Sequence, residues 1–153
     1  MTRRRLPAKL RRLVKERAQG CCEYCLCQED YGPDGFSDEH IIPFAAGGKS
    51  GASNLARACQ RCNNKKYDKT HALDPLTRES VPLFHPRQHI WLEHFAWSDD
   101  YTLMLGLTPI GRATVAELDL NRKGVVNQRK LLLLIHQHPP KKYQPSASSQ
   151  RQT

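Results

Sequence analysis

The chain has few aromatic residues, no long apolar run and a shortage of acidic side chains. Phe, Trp and Tyr make up 7% of its 153 residues, which excludes a large aromatic core and leaves room for one modest domain. So thin a core usually needs a staple. The aliphatic run at residues 131–135 falls far short of the ~20 apolar residues of a membrane span. No apolar stretch follows Arg3, Arg4 and Arg5, so no secretory signal is read. A cytoplasmic location away from membranes is therefore expected, where thiols stay reduced. Lys and Arg number 24 against 15 Asp and Glu, a formal charge of +9. An excess of that sign suits polyanionic partners, nucleic acid first, through steering and counterion release. It is unevenly spread: residues 1–20 carry eight Lys or Arg and one acid, Glu16, while Lys65, Lys66 and Lys69 form a second cluster.

The chain divides into four stretches. In residues 1–20, positions 7–18 read as a basic helix, with Pro7 in its first turn and Gly20 just past its end. Leu6, Leu10, Leu13, Val14 and Ala18 give it a narrow apolar stripe. Residues 21–69 hold the cysteines, a loop marked by Gly47, Gly48 and Gly51, and a helix expected to start at Ser53 and run through Asn63. In residues 70–137, the Pro- and His-rich 70–90 part reads as a connector. The rest reads as a β-hairpin, 91–97 against 102–107 across a Ser-Asp-Asp-Tyr turn, and then helices from Thr108-Pro109 to Leu118 and from about Gly124 to Gln137. Residues 138–153 read as a disordered tail. The fold class expected is α+β.

What the chain does have is six cysteines. Cys22-x-x-Cys25 and Cys59-x-x-Cys62 are two knuckle pairs, each spaced so that two thiolates face one ion, and together they complete a tetrahedral zinc site. Cys21 or Cys27 could in principle replace a neighbour, but the Cys22–Cys25 spacing repeats that of the second pair. Four thiolates leave no open coordination position, so such a zinc is structural and the chemistry lies elsewhere. Between the pairs sits one histidine, His40, with Glu39 beside it. A near-neutral imidazole can take a proton from water, and a carboxylate suits Mg or Mn.

The stretch around these residues, Phe36-Ser-Asp-Glu-His-Ile-Ile-Pro43, is followed by Gly47-Gly48, by Ser53-Asn54-Leu55 and by Cys62-Asn63-Asn64-Lys65-Lys66. In the order and spacing of these elements the sequence resembles the HNH endonucleases over residues 14–69. The part from Asp74-Pro75 to Arg122, with Gly111-Arg-Ala-Thr114, is similar to the C-terminal extension of a bacterial subgroup. The resemblance implies a ββα-metal finger stapled by the zinc clip, flanked by the N-terminal helix and the C-terminal hairpin and helices. It implies cleavage of DNA with His40 as general base, Glu39 and Asn63 as ligands of a catalytic Mg or Mn, and Asn54 orienting His40. Lys65 and Lys66 would contact phosphates, and Arg3, Arg4 and Arg5 would add to the DNA surface. Adjacent strand residues point to opposite faces, so Glu39 and His40 can share a site only if the strand's alternation breaks there. The chain departs from the family's commonest pattern in having Glu39 where Asp is usual and Asn63 in place of His, and Asp38 could compete with Glu39 for the metal. The alternative is a zinc-stapled DNA-binding module without cleavage. Oligomeric state and target sequence cannot be read from the chain.

Overall fold

A computed structural model describes residues 5–145. It combines five α-helices with three two-stranded antiparallel ribbons among the described residues, an α+β arrangement. Helix α1 (Ala8–Ala18) buries Val14 and Ala18 and ends in a left-handed Gln19. It lies against the first ribbon, where the Arg17 guanidinium donates to the Leu55 carbonyl. That ribbon pairs β1 (Ser37–His40) with β2 (Leu55–Ala58), setting Asp38 opposite Arg57 and His40 opposite Leu55. Helix α2 (Gln60–Lys66) follows at once, and the Cys59 sulfur accepts from the Cys62 N–H at its start.

The helix expected from Ser53 is therefore two elements. Residues 52–54 make a single 3₁₀ turn, and Leu55–Ala58 is a strand. Leu-Ala-Arg-Ala has helical propensity, but Leu55, Ala56 and Ala58 are buried as the more covered strand of the ribbon. The 70–90 connector also holds more order than expected: β3 (His71–Leu73) pairs with β4 (Ser80–Pro82). Its turn is fixed by Asp74, which accepts from the Leu76 N–H and the Thr77 hydroxyl and is clamped by both sides of the Arg112 guanidinium at 2.8 and 2.9 Å. Arg112 holds the Asp74 carboxyl well below the usual carboxylate range.

In the expected hairpin, residues 91–94 form one helical turn (α3, Trp91–His94), and pairing is confined to β5 (Phe95–Trp97) and β6 (Met104–Gly106). Helices α4 (Pro109–Glu117) and α5 (Lys123–Leu134) lie close to expectation, the first capped by Thr108, whose hydroxyl accepts from the Gly111 N–H. Within the first eight residues of the expected tail, His138 and Tyr143 are buried. The Tyr143 carbonyl accepts from the Trp97 indole N–H at 3.0 Å, while His138 stands edge-on to Trp97. No described helix is long and apolar enough to cross a membrane.

One apolar cluster runs through all of this. It joins Tyr24, Leu26 and Ile41 to Phe84, Trp91, Phe95, Met104 and Val125, with four of the six cysteines among its members. The cysteine-rich stretch and the C-terminal half thus share a core.

Candidate metal clip and polar groove

The sulfurs of Cys22, Cys25, Cys59 and Cys62 lie within 4.8 Å of one another, and all four residues are buried. The turn after Cys22 brings the first pair together: Leu26 N–H donates to the Cys22 carbonyl and Cys22 N–H to that of Cys27. Glu23, inside this turn, ties it to β2 by accepting from the Arg57 N–H at 2.7 Å and from the Arg87 guanidinium. Within this cluster hydrogen bonding from Cys22 pushes the Cys25 and Cys59 thiols below their ordinary value, whereas burial pushes Cys22 up and hydrogen bonding to Cys22 pushes Cys62 up. Cys27 borders the cluster, facing Cys22, Cys25 and Cys59, and Cys21 turns away to the Gln19 carbonyl. The expected pairing of Cys22, Cys25, Cys59 and Cys62 is the one that clusters, and its four buried sulfurs fit a tetrahedral zinc ion.

A second site lies on the outer face of β1. The strand keeps its regular alternation, so Asp38 and His40 point one way and Glu39 the other. Asp38 and His40 line an open groove with Asn63 from α2, Arg57 from β2, and Arg5 and Arg11 from the N-terminal segment. His40 Nε2 lies 2.9 Å from the Ser50 hydroxyl. Arg57 pairs with Asp38 at 3.2 Å and with Glu29 at 3.0 Å, which neutralises it and leaves Arg5 and Arg11 as the groove's remaining cationic side chains.

Behind the strand, Glu39 is 3% exposed and Lys66 1%. The Lys66 ammonium sits 2.7 Å from one Glu39 oxygen and donates to the Ile41 carbonyl, with that of His40 at 3.5 Å. The Tyr24 hydroxyl donates to the other Glu39 oxygen at 2.5 Å. Burial, and then the Glu39 charge, push Tyr24 well above the ordinary phenol value and keep it a donor.

The loop after His40 is closed by Asn54. Its side chain accepts from the Ile42 N–H at 2.8 Å and donates to the Ile42 and Lys49 carbonyls, each at 2.9 Å. Gly48 is needed for this closure: a Cβ there would stand 1.7 Å from the Ile42 oxygen and 2.8 Å from the Asn54 amide nitrogen.

Residues 22–69 match the HNH endonuclease family. The HNH segment runs from the first clip cysteine to just past α2, and the C-terminal half lies outside it. Neither a curated protein nor a solved structure matches the chain. The match supports a nuclease or DNA-binding function.

Several expected residues of the HNH segment meet in the groove and others do not. His40 and Asn63 line it, with Arg5 beside them, whereas Arg3 and Arg4 lie outside the described residues. Asn54 acts on the backbone after His40, at Ile42 and Lys49. Glu39 and Lys66 were expected at an ion and a phosphate; both are interior and paired with each other, because regular pleating turns position 39 inward and Lys66 lies on the buried side of α2. Lys65, the neighbouring expectation, is half-buried. Sequence reasoning missed Ser50, Arg11 and Arg57. Arg11 sits within the basic run already noted, but nothing local marks Ser50 or Arg57.

Proposed function

We propose that the protein is a metal-dependent endonuclease that hydrolyses phosphodiester bonds of DNA, with His40 taking the proton from the attacking water. The observation that carries this reading is the shared groove of His40, Asp38 and Asn63 beside Arg5 and Arg11. The imidazole suits proton transfer near neutral pH. Ser50, at hydrogen-bond distance from Nε2, fixes the ring or yields its place to water. Arg5 and Arg11 meet the phosphates, and Asn54 with Gly48 holds the loop that carries Ser50.

The carboxylate and amide oxygens fit a hard divalent ion, Mg or Mn. When bound, such an ion supplies Lewis-acid stabilisation of the phosphoryl and leaving oxygens. Asp38 and Asn63 are the donors that face the groove. Glu39 reaches it only by releasing Lys66, so in this reading Asp38 takes the ligand role that the resemblance gives to Glu39. Glu39 instead keeps the Lys66 ammonium beneath the His40 and Ile41 carbonyls. The four-cysteine clip holds a structural zinc.

A second reading, DNA binding without cleavage, is favoured by the ion pairs that already engage Asp38 and Glu39. Supercoiled plasmid incubated with the purified protein, with and without Mg or Mn, separates the two. We expect ion-dependent nicking by the wild type and a loss of about 10²–10⁴-fold in folded His40→Ala. Retarded but uncut plasmid in both ions would establish the binding module instead.

A further inference from the structure

The clip has a neighbour that its motif does not contain. Arg122, from the turn between α4 and α5, aims its guanidinium at the sulfurs: one terminal nitrogen lies 3.6 Å from Cys62 Sγ, and the other lies 3.3 Å from Cys59 Sγ and 3.7 Å from Cys25 Sγ. Three of the four sulfurs thus face one fork of N–H donors. No carboxylate pairs with Arg122 among the described residues.

Its position is set by the fold. Arg122 is the N-cap residue of α5, and its carbonyl accepts from the Val125 and Val126 N–H groups at 3.1 and 3.0 Å. Val125 is buried in the cluster that contains Cys25, Cys59 and Cys62. A divalent ion held by four thiolates has a net charge of −2, and an uncompensated charge buried among apolar groups is costly. The guanidinium returns one positive charge at the sulfurs and donates hydrogen bonds in a planar fork.

We propose that Arg122 is a charge-compensating cap on the zinc clip, so that docking of the α4–α5 segment is part of how the ion is retained. The proposal rests on the zinc reading of the clip. It assigns the C-terminal half a task separate from the groove: that half carries the donor that quiets the thiolates. Loss of a partner around a metal's own ligands commonly weakens retention by about 10–100-fold.

The test uses the full chain in wild-type, Arg122→Met, Arg122→Lys and Arg112→Met forms. Zinc transfer to the chelator 4-(2-pyridylazo)resorcinol is timed, and the sulfur-to-metal charge-transfer bands are recorded after cobalt substitution. Wild type should hold one zinc; a zinc-free wild type would remove the clip reading itself. With zinc present, Arg122→Met should release it about 10–100-fold faster and shift the cobalt bands. Arg122→Lys, which keeps the charge but not the fork, should fall between. Arg112→Met breaks the Asp74 clamp away from the sulfurs and should release zinc at close to the wild-type rate. Equal acceleration in Arg112→Met, or wild-type release and bands in both Arg122 variants, would overturn the cap. If Arg122→Met does not fold, Arg122→Lys decides by the same two readouts.

Discussion

The clip and the groove stand a few residues apart in sequence and are built on opposite terms. The clip's cysteines are buried, held by backbone turns and flanked by an arginine from the other half of the chain. The groove's His40, Asp38 and Asn63 are each partly exposed on an open face of β1 and α2. One region has its four sulfurs turned inward and the other has its polar atoms turned outward. Loss of a groove side chain should therefore spare the fold, whereas loss of a clip cysteine should not.

The strongest way to break that contrast is Cys59→Ser. Structural zinc contributes on the order of 10 kcal/mol or more to small metal-stapled folds, so this variant should lose its zinc and its cooperative melting transition, and nicking with them. A folded, zinc-free Cys59→Ser protein would make the clip dispensable. His40→Ala, by contrast, should leave zinc content and melting temperature unchanged while nicking collapses.

A finer test uses neighbours in sequence. Lys66→Met removes the cation from a buried pair and should destabilise the protein by about 3–5 kcal/mol, read as a fall in urea midpoint. Lys65→Met should shift that midpoint by less than about 0.5 kcal/mol in free energy. If Lys65 meets a phosphate, its loss should flatten the log–log salt dependence of DNA binding by about one ion. Equal midpoints for the two variants would contradict the interior placement of Lys66.

The smallest expected effect concerns histidines outside the groove. His138 is held below the ordinary imidazole range, first by burial and then by the positive Arg129; the Tyr101 carbonyl opposes this without reversing it. A folded value lower than the unfolded one means that stability is fully present above about pH 6.5 and declines as pH falls below it. His85 and His89 are lowered in the same direction, again with burial as the largest cause. Melting temperature should therefore drop modestly between pH 7 and pH 5, and His138→Gln should shallow that drop. An unchanged slope would leave His138 without a part in it.

Much of this was legible because it is written in local spacing. Two Cys-x-x-Cys pairs announced the cluster, Thr108-Pro109 announced α4, and the acid-His-Ile-Ile-Pro stretch with its later asparagines announced the HNH segment. What was not legible depends on which way a side chain faces after packing. Leu55–Ala58 reads as helix until β1 lies beside it. Lys66 reads as a surface charge until α2 turns it under Glu39. Asp74 and Arg112 were both within the noted extension, yet nothing in their spacing says that they clamp. Ser50, Arg57 and Arg122 act across distances of 10 to 97 residues, beyond the reach of any local pattern.

Arg129 bears on how this protein can be rebuilt. Buried over the Trp97 ring, it donates to the carbonyls of Cys25, Thr102 and Leu120 and to the Asn121 side chain. The edge of the family match at residue 69 is therefore no seam for cutting. A fragment trimmed there would strip the first knuckle of a donor and lay bare Tyr24, Leu26 and Ile41, which share one cluster with Phe84, Phe95 and Val125. Transplanting residues 22–69 into another scaffold would require that scaffold to bring its own arginines to the positions of Arg122 and Arg129, so the unit of exchange is the whole described chain.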